Sequence, residues 1–164
     1  MRPMFLSVAA VLILAATLSC GSDSGDTKAA TIVLINRAGT VAPGYWYEET
    51  ITVDGQSMHL TRTGGDQVIT GDWDVTLSQG EVSDLSMLSR LIDPQEDGDT
   101  VAGDGPIGGG LLELHLADAV FYNGWLEDPT TSQSSYHSFS VDVKNLADYI
   151  GGLIDAYGYG RRYP

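Results

Sequence analysis

Residues 45–55 read Tyr45-Trp46-Tyr47-Glu48-Glu49-Thr50-Ile51-Thr52-Val53-Asp54-Gly55, and their alternation sets the fold class. In an extended chain successive side chains point to opposite faces, so Tyr45, Tyr47, Ile51 and Val53 share one face while Trp46, Glu48, Thr50 and Thr52 share the other. Asp54-Gly55 tolerates the positive φ of a tight turn and returns the chain into Ser57–Thr63, which predicts an antiparallel hairpin. Upstream, Ile32–Ile35 is a first strand. Downstream, Gly64-Gly65-Asp66 marks a reversal, after which Val68–Thr70 and then Trp73, Val75 and Leu77 keep the alternation going.

The period changes at Ser78. Ser78 and Glu81 have the spacing of a capping box, and Val82, Leu85, Leu88 and Ile92 then recur at helical intervals. Beyond an acidic, glycine-rich loop, Leu111–Leu116, Val120–Leu126 and Tyr136–Val141 read as strands, with Asn123-Gly124 as a hairpin turn inside the second. Asp142 can cap a last helix whose Leu146, Ile150, Leu153, Ile154 and Tyr157 share a face, and Gly158 stands at its stop position. Strands, helix, strands and helix predict an α+β domain: an antiparallel meander-type sheet with two amphipathic helices, about 79–92 and 143–157, on one face.

The 164 residues divide into a leader (1–19), a small polar stretch (20–30), one domain (31–158) and a tail (159–164). Formal charge is −14, and discounting residues 1–19 removes Arg2 and no acid. Such a field repels phosphate backbones, so nucleic acid is excluded as a natural partner and basic groups or cations are favoured. Hydrophobic residues make up 43% of the chain and are interspersed with the acids, which separates it from disordered acidic tails.

The first residues combine Arg2, an apolar run from Met4 to Leu18, and small residues ending at Ser19-Cys20. That run is short for a transmembrane helix and suits a signal-peptide core. The stretch Thr17-Leu18-Ser19-Cys20 resembles the lipobox of bacterial lipoproteins. The resemblance implies cleavage before Cys20, a diacylglycerol on its thiol, and attachment to the outside of a membrane, the outer membrane where there is one because Gly21 follows. Cys20 is also the single cysteine of the chain, which leaves it no disulfide partner. Gly21–Asp26 is then a polar tether.

Residues 93–104 can be laid against a calcium-binding EF-hand loop: Asp93, Gln95 and Asp97 at the first side-chain positions, Gly98 at the sharp turn, Asp99 offering a carbonyl and Asp104 closing. Gln95 in place of an acid, the shorter Asp104 and the glycines after it favour a solvated acidic loop over a calcium site. His59, His115 and His137 fall in three different strands without zinc-motif spacing. No serine sits in a Gly-x-Ser-x-Gly turn, and pairs such as Glu48-Glu49 read as solvated strand edges. Tyr45, Trp46 and Tyr47 form a candidate binding platform for a glycan or peptide. The tail, Tyr157–Pro164, joins aromatics to the adjacent pair Arg161-Arg162; it can dock on a partner or on the domain's own acidic surface, with disorder the default.

The element order resembles that of small bacterial protease-inhibitor domains called emfourins, a likeness of layout that carries no residue across and implies protease inhibition. The expectation is therefore a lipid-anchored, extracytoplasmic, non-catalytic protein that binds an envelope protein or glycan, with no required cofactor. A calcium module, a protease inhibitor and a hydrolase are the alternatives.

Overall fold

A computed structural model describes residues 30–164 apart from 40, 96–97, 104–109, 128–129 and 132. The leader, Cys20, Asp97 and Asp104 lie outside the described residues. The strands are β1 (Ile32–Arg37), β2 (Tyr47–Asp54), β3 (Ser57–Gly64), β4 (Gly71–Thr76), β5 (Thr100–Ala102), β6 (Leu111–Leu116), β7 (Ala119–Glu127) and β8 (Ser134–His137); the helices are α1 (Gln79–Leu91) and α2 (Val141–Ala156). The described strands form one open antiparallel sheet in the order β4-β3-β2-β1-β6-β7-β8-β5, so the α+β class and the meander hold. Two meanders, β1–β4 and β6–β8, meet where β1 pairs with β6, and each runs into a helix.

The register explains the core. Val53, Ile32 and Leu116 stand side by side, as do Ile51, Leu34 and Leu114, so alternation on these three strands delivers one continuous apolar face. Leu85 and Ile92 at α1, with Val143, Leu146, Ile150, Leu153 and Ile154 of α2, close over that face. The opposite face carries Thr50, Thr52, His59, Thr61, Asp72, Asp74, Glu113 and His115 and stays in contact with solvent.

α1 starts as its sequence predicts. Ser78 Oγ accepts from Glu81 N, and Glu81 returns a carboxylate to Ser78 N at 2.7 Å. These two bonds satisfy donors that the first turn leaves without partners. At α2 the cap is Ser140, not Asp142: Ser140 is still extended while Val141 is already helical, so Asp142 falls in the first turn. Gly158, at φ 85°, ends α2, with Gly158 N bonded to Asp155 O and Tyr159 N to Ile154 O.

Other expectations need correction. Asn123-Gly124 is not a hairpin turn. β7 runs straight through it, pairing with β6 up to Asn123 and with β8 from Gly124 onward. The hairpin lies at Ala117-Asp118, with Ala117 at φ 53°. Gly124 has φ 141°, and a Cβ there would sit 2.6 Å from Gly110 O; this is where the chain changes partners. Val68–Thr70 is irregular, Tyr136–Val141 is strand only to His137, and the acidic loop contains an unforeseen edge strand, β5. Among the described residues no helix is long and apolar enough to cross a membrane.

Candidate functional site

Alternation along β2 puts Glu49 on the inward face between Tyr47 and Ile51, and on β3 it puts Arg62 beside it, because Glu49 and Arg62 are register partners. Both are 1% exposed. Arg62 Nε donates to Glu49 Oε1 at 2.6 Å, and its other nitrogens reach the carbonyls of Tyr159 (2.5 Å), Arg161 (3.0 Å) and Ile69 (3.3 Å). Glu49 Oε2 also accepts from Asn36 Nδ2 at 3.0 Å and from Arg162 at 2.9 and 3.1 Å. Burial alone would lower the Arg162 pKa; the hydrogen bond and charge of Glu49 outweigh it and hold the guanidinium above its ordinary value. The reading of Glu48-Glu49 as a solvated pair is therefore correct for Glu48 and wrong for Glu49.

This cluster orders the tail. Instead of lying loose, residues 159–164 pack against Glu49 of β2, Arg62 of β3 and the segment after β3, with Ile69 N bonded to Arg162 O at 2.9 Å. Tyr159 lies against Trp73, with ring centroids 5.5 Å apart, and the Arg62 guanidinium sits 5.3 Å from the Trp73 ring centre. Arg162 stacks 5.2 Å from Tyr47, a cation over a π face. The tail docks because its backbone carbonyls and Arg162 complete the partners of a buried ion pair.

The docked tail builds an aromatic corner. Tyr163 meets Tyr45 edge to face at 5.6 Å and Tyr47 at 6.5 Å, and its hydroxyl donates to Tyr45 O at 3.1 Å. Trp46 lies just ahead of β2, after a short 3-10 turn at Pro43–Tyr45, and is not a strand residue as expected. Its carbonyl accepts from Gly65 N at 3.0 Å. A Cβ on Gly65 would meet Pro43 O at 2.4 Å, so only glycine lets the two turns touch. Tyr45 and Trp46 are each 46% exposed and Tyr163 36%, whereas Tyr47 is half-buried beneath. Contiguous rings left in water at a rigid corner can stack on a sugar face or a peptide side chain.

The remaining candidates are dispersed. His59 and His115 share a cross-strand row through Thr52 and Val33 but stand three strands apart, about 14 Å at ~4.8 Å per strand, too far to share a metal ion. His137, on β8, pairs with Ser135 and Thr100. His59 does make a carboxylate–imidazole–hydroxyl series, with Asp74 at 2.8 Å and Thr61 at 3.1 Å. Thr61 donates its proton to Asp72 at 2.8 Å, and Asp74 is 84% exposed, so the series is a solvated surface network rather than an activated nucleophile. On the same face Arg37 bridges Glu48 and Glu113 at 2.8 Å each, and His115 contacts Glu113 at 2.6 Å.

In the 93–104 loop, Asp93 Oδ1 accepts from Gln95 N at 2.9 Å, an ordinary Asx turn. The Asp99 carbonyl accepts from Ser138 N at 2.9 Å and Ser138 Oγ at 3.3 Å, and Thr100–Ala102 is drawn out as β5. Among the described residues no group of three or more His, Cys, Asp or Glu side chains is placed to hold a metal.

Sequence reasoning offered docking of the tail on the domain's own acidic surface only as an alternative to disorder, and Arg162 on Glu49 realises it. Beside the Arg161-Arg162 pair, the signal that would have placed it was Glu49, a charge at an inward position of β2, with Arg62 at an inward position of β3. Comparison with protein-family models, with curated proteins and with solved structures finds no match to the chain.

Proposed function

We propose that this chain is a lipid-anchored extracytoplasmic protein that works by binding, its acyl group on Cys20 and its aromatic corner receiving an envelope protein or glycan. The observation that carries the anchor is the position of the single cysteine, directly after an apolar run closed by small residues. Among the described residues the first strand begins at Ile32, so residues 21–31 separate the proposed anchor from the sheet. Tyr45, Trp46 and Tyr163 support binding at the corner: they are large and exposed, Tyr45 and Tyr163 are held against each other by the docked tail, and the Trp46 backbone is pinned by Gly65, which spares a ligand part of the cost of ordering them.

Metabolic labelling with a fatty acid tests the anchor. Label should follow the wild-type chain into the membrane fraction and vanish in Cys20→Ser; label retained by the variant would refute lipidation there. Titration of soluble envelope glycans against tryptophan fluorescence tests the corner. Quenching in the wild type that is lost in Trp46→Ala supports a glycan ligand, and an unresponsive wild type directs the search to proteins.

A further inference from the structure

The row Val53–Ile32–Leu116 ends the core at the turn side of the sheet, and α1 crosses above it without filling the space. A cavity of about 480 Å³ remains, floored by that row and roofed by Val82, Leu85 and Ser86 of α1. Volumes of roughly 300–1,000 Å³ are typical of small-molecule sites. Val82, Ser86 and Arg90 also line a second, open groove of about 860 Å³ flanked by Met87 and Leu91, each 57% exposed. The two spaces share this rim and together make up a trough along α1, whose residues 79 to 90 rise over about 16 Å.

Its charge is the reverse of the protein's. The chain carries 22 acids against 8 basic residues, yet no carboxylate lines either space among the described residues, and the one charged side chain on both is Arg90. The other arginines and the lysine of the described chain have partners: Arg37, Arg62, Arg162 and Lys144 in ion pairs, and Arg161 on Tyr163 O. Arg90 has neither an ion pair nor a hydrogen bond there. Ser86, four residues earlier on the same helical face, lines both spaces with its hydroxyl uncommitted.

We propose that this trough binds a single-chain anionic amphiphile, a long-chain fatty acid, with the acyl chain against Val53, Ile32, Leu116 and Leu85 and the carboxylate on Arg90 and Ser86. An apolar channel selects the chain, and an unpaired guanidinium in a strongly acidic protein selects the anion. The site is distinct from the aromatic corner and does not depend on acylation of Cys20.

The test uses the full chain carrying Cys20→Ser, so that no acyl group can be attached there, irradiated with a diazirine-bearing palmitate and mapped by peptide mass spectrometry. Cross-links should concentrate on residues 79–91 and on the floor around Ile32, Val53 and Leu116, and be chased by unlabelled palmitate but not by the matching long-chain alcohol. Arg90→Gln should weaken labelling about tenfold. Ser86→Trp, which places an indole in the trough from a half-buried position, should abolish labelling while leaving the melting temperature close to that of the parent. Labelling away from both α1 and the strand residues Ile32, Val53 and Leu116, labelling undiminished in a folded Ser86→Trp chain, or equal competition by acid and alcohol would each overturn the proposal.

Discussion

Arg62 donates to Glu49 at 2.6 Å with both side chains 1% exposed, an ion pair on the core face of the sheet. Removing one partner strands the other. In Glu49→Gln two guanidiniums, Arg62 and Arg162, lose their shared carboxylate, and stability should fall by about 3–5 kcal/mol. Replacing Glu49 and Arg62 together with leucine and methionine should cost less than that single change, because the fully buried Arg62 charge is removed with its partner and only Arg162, a third exposed, is left without its carboxylate. Urea denaturation of the three chains measures both. A single variant as stable as wild type would mean that the pair is not held as described.

Deleting residues 159–164 removes the carbonyls of Tyr159 and Arg161 from Arg62 and the Arg162 side chain from Glu49. We expect a loss of about 2–4 kcal/mol, since buried charged groups are left short of partners. Trp73 also loses its cover from Tyr159, so its fluorescence should shift to the red in the folded variant. An unchanged urea midpoint and an unchanged spectrum would show the tail to be dispensable.

Most of the fold was legible because period and punctuation agree along β1–β4, α1 and α2: alternation, Asp54-Gly55, the Ser78/Glu81 box and Gly158 all point to the same elements. The failures have local causes. Asn123-Gly124 has the composition of a tight turn, but Gly124 serves a change of strand partner, which only the placement of β8 reveals. β5 is three residues long, Thr100–Ala102, with all three exposed, and depends wholly on pairing with β8. At the site, the rings of Tyr45, Trp46 and Tyr47 were visible. Their brace was not, because Tyr163 reaches Tyr45 across 118 positions through contacts that no local pattern encodes.

Glu113 predicts an acid limb to the stability curve. Partial burial pushes its pKa up, but the hydrogen bonds and charges of Arg37 and His115 overcome this and hold the carboxyl below the usual range. The folded state thus binds fewer protons than the unfolded state. Its contribution is complete above the unfolded glutamate value, about 4.3, and is lost as pH falls through the lower folded value. Melting curves of wild type should therefore drop more steeply below pH ~4 than those of Glu113→Gln. At pH 7 the variant should be less stable by roughly 0.5–1 kcal/mol. Parallel acid limbs would show that Glu113 does not supply the effect.

Two glycines should respond to alanine in opposite directions. Gly98, at φ 64°, would place a Cβ 1.8 Å from Ser138 O, so Gly98→Ala must move the β8–α2 connection and should cost about 2–4 kcal/mol. Gly151 lies within α2, and a Cβ there meets nothing within 4 Å, so Gly151→Ala should add about 0.5–1 kcal/mol through helix propensity. Thermal melts of the two variants decide this, and a destabilised Gly151→Ala would mean that something packs on that face of α2.

The same Ser138 contact bears on calcium. In an EF-hand loop the seventh residue offers its backbone carbonyl to the ion, and here that carbonyl, of Asp99, already accepts from Ser138 N and Oγ. Binding would have to break both bonds, detach β5 from β8 and draw Thr100–Ala102 back into a loop. We expect the melting temperature in excess EDTA to equal that in about 1 mM calcium, where a site of ~10 μM affinity would add roughly 2.7 kcal/mol. A shift of several degrees, abolished by Asp93→Asn, would show instead that the ion can displace Ser138. In that event Ser138→Ala should tighten calcium binding modestly, because one of the two competing donors, Ser138 Oγ, is gone while Ser138 N remains.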